Sequence, residues 1–412
     1  MNRREILRTG FAALSTAGFS TRLLAAGSSG PRLLFVFLRG GYDCANLLIP
    51  YSSSFYYEAR PHIAIARPGA PATTDTTSQD DLETSTSTGS ALALDADWAL
   101  APAVRESIGS MYSKGEVAFV PFAGTDDLSR SHFRSQDTVE LGAVGTAAPR
   151  DYSSGVLGRL SAVLTDAAPI SFTDDLPLVF KGRTGVPNLE LKESCEPILD
   201  ERQASLLNEM YDGNPLGSAI ADGLQLRQEV ARSAGKEMHE ASRGAAGPTD
   251  LEAGAARMAR LMRDRYRLGF IDIGGWDTHV NEGGAQGALA TDLQNLGGGL
   301  QAFAKAMGPD WKDTVVVVVS EFGRAFRENG NRGTDHGHGS VYWVMGGGIS
   351  GGRVVGEQQR LEHNTLFQDR DLPVLNDHRA VLGGLFRRMW DLSPAQLGRV
   401  FPDVVPADLK LV

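Results

Sequence analysis

The stretch VVVVVSEFGR, residues 315–324, governs how the rest of the chain is read. Five consecutive valines show no polar alternation, so both faces of the strand they form must be covered, as in parallel sheets enclosed by helices. The run then stops abruptly in a serine, a carboxylate and a glycine. Ligands of open α/β sheets bind beyond the carboxyl ends of the strands, which makes Glu321 a residue mounted for chemistry. The same scheme recurs in RLLFVFLRGG (32–41), EVAFVPFAG (116–124), RLGFIDIGG (267–275) and VYWVMGGG (341–348). Helices are expected over 202–211, 216–242, 251–266, 286–307 and 378–390. Strand and helix alternate, and the class is α/β.

Composition agrees with a soluble globular chain: 412 residues, 42% hydrophobic and 22% charged. A formal charge of −10 offers no basic surplus for phosphates, which argues against nucleic acid as a partner. The opening MNRREILRTGFAALSTAGFSTRLLAAG has adjacent Arg3 and Arg4, a moderately apolar stretch and small residues Ala25 and Ala26. Residues 1–26 therefore read as a twin-arginine signal peptide, to be set aside from the fold. Its apolar part is too short for a stable membrane span. The mature protein is expected to be periplasmic or secreted, with the twin-arginine export machinery as a partner. Residues 31–402 read as one domain, with a low-complexity Thr/Ser/Asp loop inserted at 68–91 and a tail at 403–412. SRGAAGP (242–248) reads as a flexible joint between helices. Cys44 and Cys195 could pair in an oxidising compartment or be two separate buried thiols.

Polar residues collect where the apolar runs end. The first run leads into Arg39, Gly40, Gly41, Tyr42 and Asp43, then Asn46; the second leads to Ser131 and His132 at a helix start. GGWDTH carries Asp277 and His279, and the valine run gives Glu321 and Arg324. GTDHGHG supplies Asp335, His336 and His338 just ahead of the last run. Asp277 and His279 are two apart, as are His336 and His338, so in extended backbone each pair points to one side. Imidazole with carboxylate suits Zn²⁺, Mn²⁺ or Fe, and further carboxylates suit a second, harder ion. Each piece also has a plain reading: a DxH turn can cap itself, Asp43 can cap a helix, and the arginines can balance carboxylates.

Together FLRGGYDCANLLIPY, SRSHFRSQDTVELG, GGWDTH, SEFGRAFRENGNRGTDHGHGSVYWVMGGGISGG and the twin-arginine start resemble domain-of-unknown-function family 1501. That family is grouped with the alkaline phosphatase-like superfamily, which includes the sulfatases. The resemblance implies an alkaline phosphatase-like fold, a large, mostly parallel central sheet flanked by helices on both faces. It also implies a metal-dependent hydrolase of phosphate or sulfate esters, small or polymer-linked. One or two divalent ions (Zn, Mn, Mg or Ca) would be held by Asp43, His132, Asp277, His279, Glu321, His336 and His338, with Asp272 as an alternative. Arg39, Asn46 and Arg324 would contact anionic oxygens, since the arginine fork binds two at once.

Two departures from the superfamily stand out. Its DHG histidine is replaced by Phe322, and its nucleophile position falls on His132, with Ser131 one residue away. The order of preference is His132 as metal ligand, Ser131 as nucleophile, then His132 as nucleophile; the first leaves activated water to attack directly. The alternative is a non-catalytic exported binding or scaffold protein with a degenerate metal site.

Overall fold

The five apolar runs all form strands in the computed structural model, which describes residues 30–70, 89–144, 150–164, 166–173, 175–183, 185–189 and 250–412. The leader, the body of the 68–91 insertion, the 242–248 joint, the helices expected over 202–211 and 216–242, and Cys195 lie outside the described residues. The main sheet contains β1 (Arg32–Leu38), β2 (Val117–Gly124), β3 (Pro169–Ser171), β4 (Leu268–Ile273), β5 (Thr314–Ser320), β6 (Ser340–Met345), β7 (Arg353–Val354) and β8 (Asn376–Asp377). Their order across it is β7-β2-β6-β5-β1-β4-β3, with β8 added beside β2.

At the centre, β1 runs parallel to both β4 and β5, with Phe35 opposite Phe270 on one side and Val317 on the other. β6 is the exception: it lies antiparallel to both neighbours, Trp343 facing Phe119 of β2 and Val318 of β5. Pro121 has no N–H to give a ladder, and the β2–β6 register shifts between Val120 and Ala123. The class is α/β, with a mostly parallel sheet between two helical layers.

The helices flanking the sheet are α1 (His132–Leu141), α2 (Val156–Val163), α3 (Asp250–Asp264), α4 (Ala288–Met307), α5 (His378–Trp390) and α6 (Pro394–Val400). Alternation along the strands divides the core. Leu34, Val36, Val316 and Val318 share one cluster with Met258 and Met262 of α3 and Leu293, Leu296 and Leu300 of α4. Leu33, Phe35, Val315, Val317 and Val319 share the other with Leu157 and Leu160 of α2 and Leu382 and Phe386 of α5. Every valine of the run is buried, as a strand covered on both faces requires. Each such burial contributes on the order of 1.5 kcal/mol or more. The tail is tied down, with Ala407 N donating to Ala380 O and Ser350 N to Leu411 O.

Candidate metal centre

Because β6 runs against β5, its first residue lies at the edge where β5 and β1 end. The loops after β1, β4 and β5, the start of α1 and the loop before β6 therefore meet at one place. Gly40 makes the turn after β1 with φ +128°, and a Cβ there would stand 2.8 Å from Asp277 N, so a side chain cannot be accommodated.

Glu321 is buried at the end of β5. Its Oε1 accepts from Gly40 N at 2.9 Å, Gln136 Nε2 at 3.0 Å and His132 Nδ1 at 2.9 Å, and its Oε2 accepts from Ser320 Oγ at 3.0 Å. Burial alone would raise its pKa, but the donors from His132, Gln136 and Gly40 outweigh that and hold it below the usual range. Glu321 therefore sits behind His132 and orients its ring.

The other face of that ring points at three further candidates. His132 Nε2 is 3.0 Å from His336 Nε2 and 3.4 Å from Asp277 Oδ2. His336 Nε2 is 3.1 Å from Asp277 Oδ1, and His279 Nε2 is 3.0 Å from both His336 Nε2 and Asp277 Oδ1. One ligand atom each from His132, Asp277 and His336 lies within 4.8 Å of the others. Four ligands on a tetrahedral zinc at about 2.0–2.1 Å stand about 3.3–3.4 Å apart, close to this spacing.

The groups behind the rings fix the tautomers. Glu321 accepts from Nδ1 of His132, the Arg130 carbonyl faces Nδ1 of His336 at 3.1 Å, and Asp335 lies 3.5 Å from Nδ1 of His279. A carbonyl or ionised carboxylate can only accept, so the neutral rings of His132 and His336 carry the proton on Nδ1 and present a lone pair at Nε2. Two imidazole lone pairs and a carboxylate thus face one another, with Nε2 of His279 alongside, and this set of ligand atoms fits a cation. Glu321 raises the pKa of His132, and with it the ring's basicity toward an ion. Burial, then the neighbouring His132, lowers that of His336. Burial would push Asp277 up, but the Arg324 guanidinium, 2.5 Å away, keeps it low and ionised. Phe322 lies against the rings of both His132 and His336, with centroids 5.0 and 5.2 Å away, and forms an apolar wall in place of the missing imidazole.

The remaining candidates are placed elsewhere. Asp43 is buried in a bidentate ion pair with Arg60, and Asn46 is spent on Arg60, Tyr56 and Ile63 O. Arg39 binds Asp272, Gln136 and Glu140, so Asp272 is paired away from the rings as well. Arg324 is buried, donating to Asp277, Thr334 and Gly40 O. His338 packs on Phe367, where burial lowers its pKa to about 4. Ser131 is the N-cap of α1 and makes no side-chain capping bond. Cys44 is buried as a free thiol. Gln136, Arg130 and Glu282 support the centre, and Arg60 claims Asp43 away from it; none of the four was anticipated. Only Gln136 carried a signal, lying one helical turn after His132.

The family model described as Protein of unknown function (DUF1501) matches residues 31–404. This chain belongs to that family. Among curated proteins no relative of this DUF1501 chain is found. Several solved structures are similar to it at low identity. One is Ps i-CgsB in complex with k-i-k-neocarrahexaose, at 8% identity over 89% of this chain and 74% of that one, with a TM-score of 0.38. Another is an alkaline phosphatase superfamily protein from Vibrio parahaemolyticus, at 12% identity over 84% and 69%, TM-score 0.33. A third is a 2-O GAG sulfatase, at 11% identity over 88% and 71%, TM-score 0.33. Among the described residues of the DUF1501 chain, no helix is long and apolar enough to cross a membrane.

Proposed function

We propose that this DUF1501 chain is an exported metal-dependent hydrolase of phosphate or sulfate esters, its ion held by His132, His336 and Asp277 with His279 alongside. The observation that carries this reading is the convergence of the Nε2 atoms of His132 and His336 with Asp277 at 3.0–3.4 Å, each ring backed by an acceptor. Imidazoles with one carboxylate favour Zn²⁺ or Mn²⁺ over Mg²⁺ and Ca²⁺. When bound there, a divalent ion supplies Lewis-acid polarisation of an ester oxygen and acidifies water.

The protein's own groups have distinct tasks. Glu321 holds the His132 ring, Arg324 keeps Asp277 ionised, and Phe322 excludes water from the back of both rings. With His132 holding the ion, water is the first candidate to attack; Ser131, beside His132 at the start of α1 where the helix dipole favours developing negative charge, is the second. Adjacent Arg3 and Arg4 at the start of the sequence support export of the mature protein, with the ion loaded beforehand.

One observation favours a second reading, a non-catalytic exported binding or scaffold protein: Arg39, Asn46 and Arg324 are each already engaged by groups of the protein itself. Elemental analysis combined with chromogenic phosphate and sulfate esters separates the two. Bound metal and turnover, both lost in His336→Ala, support the hydrolase. Metal without turnover selects the scaffold, and no metal in the intact protein overturns the centre.

A further inference from the structure

Glu282 lies in none of the motifs that carry the centre, yet it is fully buried between the two loops that supply most of its ligands. Its Oε2 accepts from Thr278 Oγ1 at 2.9 Å and from Thr334 Oγ1 at 2.8 Å. Thr278 sits between Asp277 and His279; Thr334 comes two residues before His336. Thr334 Oγ1 in turn accepts from Arg324 Nε at 3.2 Å, and Arg324 Nη1 donates to Asp277 Oδ1 at 2.5 Å. Its Nη2 donates to the Thr334 carbonyl. One carboxyl oxygen therefore ties together both loops and the guanidinium that aims Asp277.

The loops also meet through backbone bonds. Thr334 N donates to Thr278 O at 3.1 Å, Glu282 N to Arg332 O at 2.9 Å and Asn281 N to Asn331 O at 2.9 Å. These bonds hold the loops side by side but leave the directions of the side chains free. Sealing a carboxyl group away from water costs several kcal/mol when it is not fully satisfied, and Oε1 of Glu282 has no hydrogen-bond partner, so a role in loop closure alone would be better served by an apolar side chain. Burial, and then the neighbouring Asp43, raises the pKa of Glu282 well above the usual range, which keeps the group neutral while Oε2 still accepts. What the carboxyl group adds is direction: it orients two hydroxyls, and one of them orients Arg324.

We infer that Glu282 is a positioning residue for the metal centre, acting through Thr278, Thr334 and Arg324 to set the direction of Asp277 relative to His336. This rests on the metal reading of the centre. Ligand geometry is sensitive to such supporting contacts, whose loss weakens metal affinity about 10–100-fold. The test uses the full exported protein titrated with Co²⁺, followed by its visible absorption. Thr334→Val removes the shared hydroxyl with little change in volume, and Thr334→Ser restores it.

Thr334→Val should bind Co²⁺ at least 10-fold more weakly and with an altered spectrum, at a temperature where its circular dichroism is native. Thr334→Ser should match the unsubstituted protein in both. Thr278→Val provides the same reading from the other loop if Thr334→Val does not fold. Unchanged affinity and spectrum in the folded valine variants would overturn the positioning role while leaving the centre intact. Failure of the unsubstituted protein to bind Co²⁺ would overturn the centre, and this inference with it.

Discussion

In the proposed centre Glu321 stands behind the His132 ring and not among the facing ligands, because three of its donors converge on Oε1 and one of them is that ring. Glu321→Ala should therefore keep one bound ion at saturation but weaken affinity about 10–100-fold in a competition titration with a chelator. Equal affinity would remove the orienting role. Ser131→Ala should leave metal content unchanged, since Ser131 is not among the ligand residues; a fall in ester turnover of more than about 100-fold would make it the covalent nucleophile. Undiminished turnover would leave water as the attacking group. At this scale the sequence was legible by residue type: His132, Asp277, His279 and His336 are where strand ends and a helix start suggested. It could not show that Asp43 would be claimed by Arg60 or that Glu321 would face a ring, because those outcomes depend on partners 17 and 189 positions away.

Strand direction explains why DHGHG contributes at all. A parallel β6 would have carried its leading loop to the opposite edge of the sheet, far from the end of β5. The valine pattern announced strands buried on both faces, but burial is indifferent to direction, so the antiparallel insertion of β6 left no trace in hydropathy. Its sign lies in chain length instead: 19 residues separate Ser320 from Ser340, and none of them forms the helix that a parallel crossover needs. The connection is correspondingly tight. A Cβ on Gly323 would stand 2.0 Å from Gly339 O in the facing loop. Gly323→Ala should cost about 1–3 kcal/mol in urea unfolding and weaken metal binding by spreading the two loops. A variant with unaltered stability would show the loops to be looser than drawn.

At the scale of the whole molecule, the helical layer on the second face covers a deeply buried titratable group. His378 opens α5 and is fully buried, and burial lowers its pKa to about 4, with Asp377 opposing the shift and Arg379 adding to it. The unfolded chain takes up this proton near 6.5 and the folded chain refuses it until about 4. The contribution is complete above pH 6.5 and is lost as pH falls toward 4, at up to about 1.4 kcal/mol per pH unit. Urea unfolding of the protein and of His378→Gln should show a shallower pH slope for the variant in that window; parallel slopes would exclude the histidine as the cause.

The convergence of His132, Asp277 and His336 has a mechanical meaning as well as a chemical one. Its ligands are 204 and 59 positions apart along the chain, so an ion joining them is a clasp across otherwise separate segments. Such a clasp must open for the polypeptide to unravel, and its grip scales with the logarithm of free metal. At 100-fold excess over the dissociation constant it would add about 2.7 kcal/mol, so chelation should lower the melting temperature by a few degrees and re-addition of Zn²⁺ should restore it. A melting temperature indifferent to chelator would mean that the clasp does not close. A protein exported in its folded state, as proposed, would carry this fastening with it across the membrane.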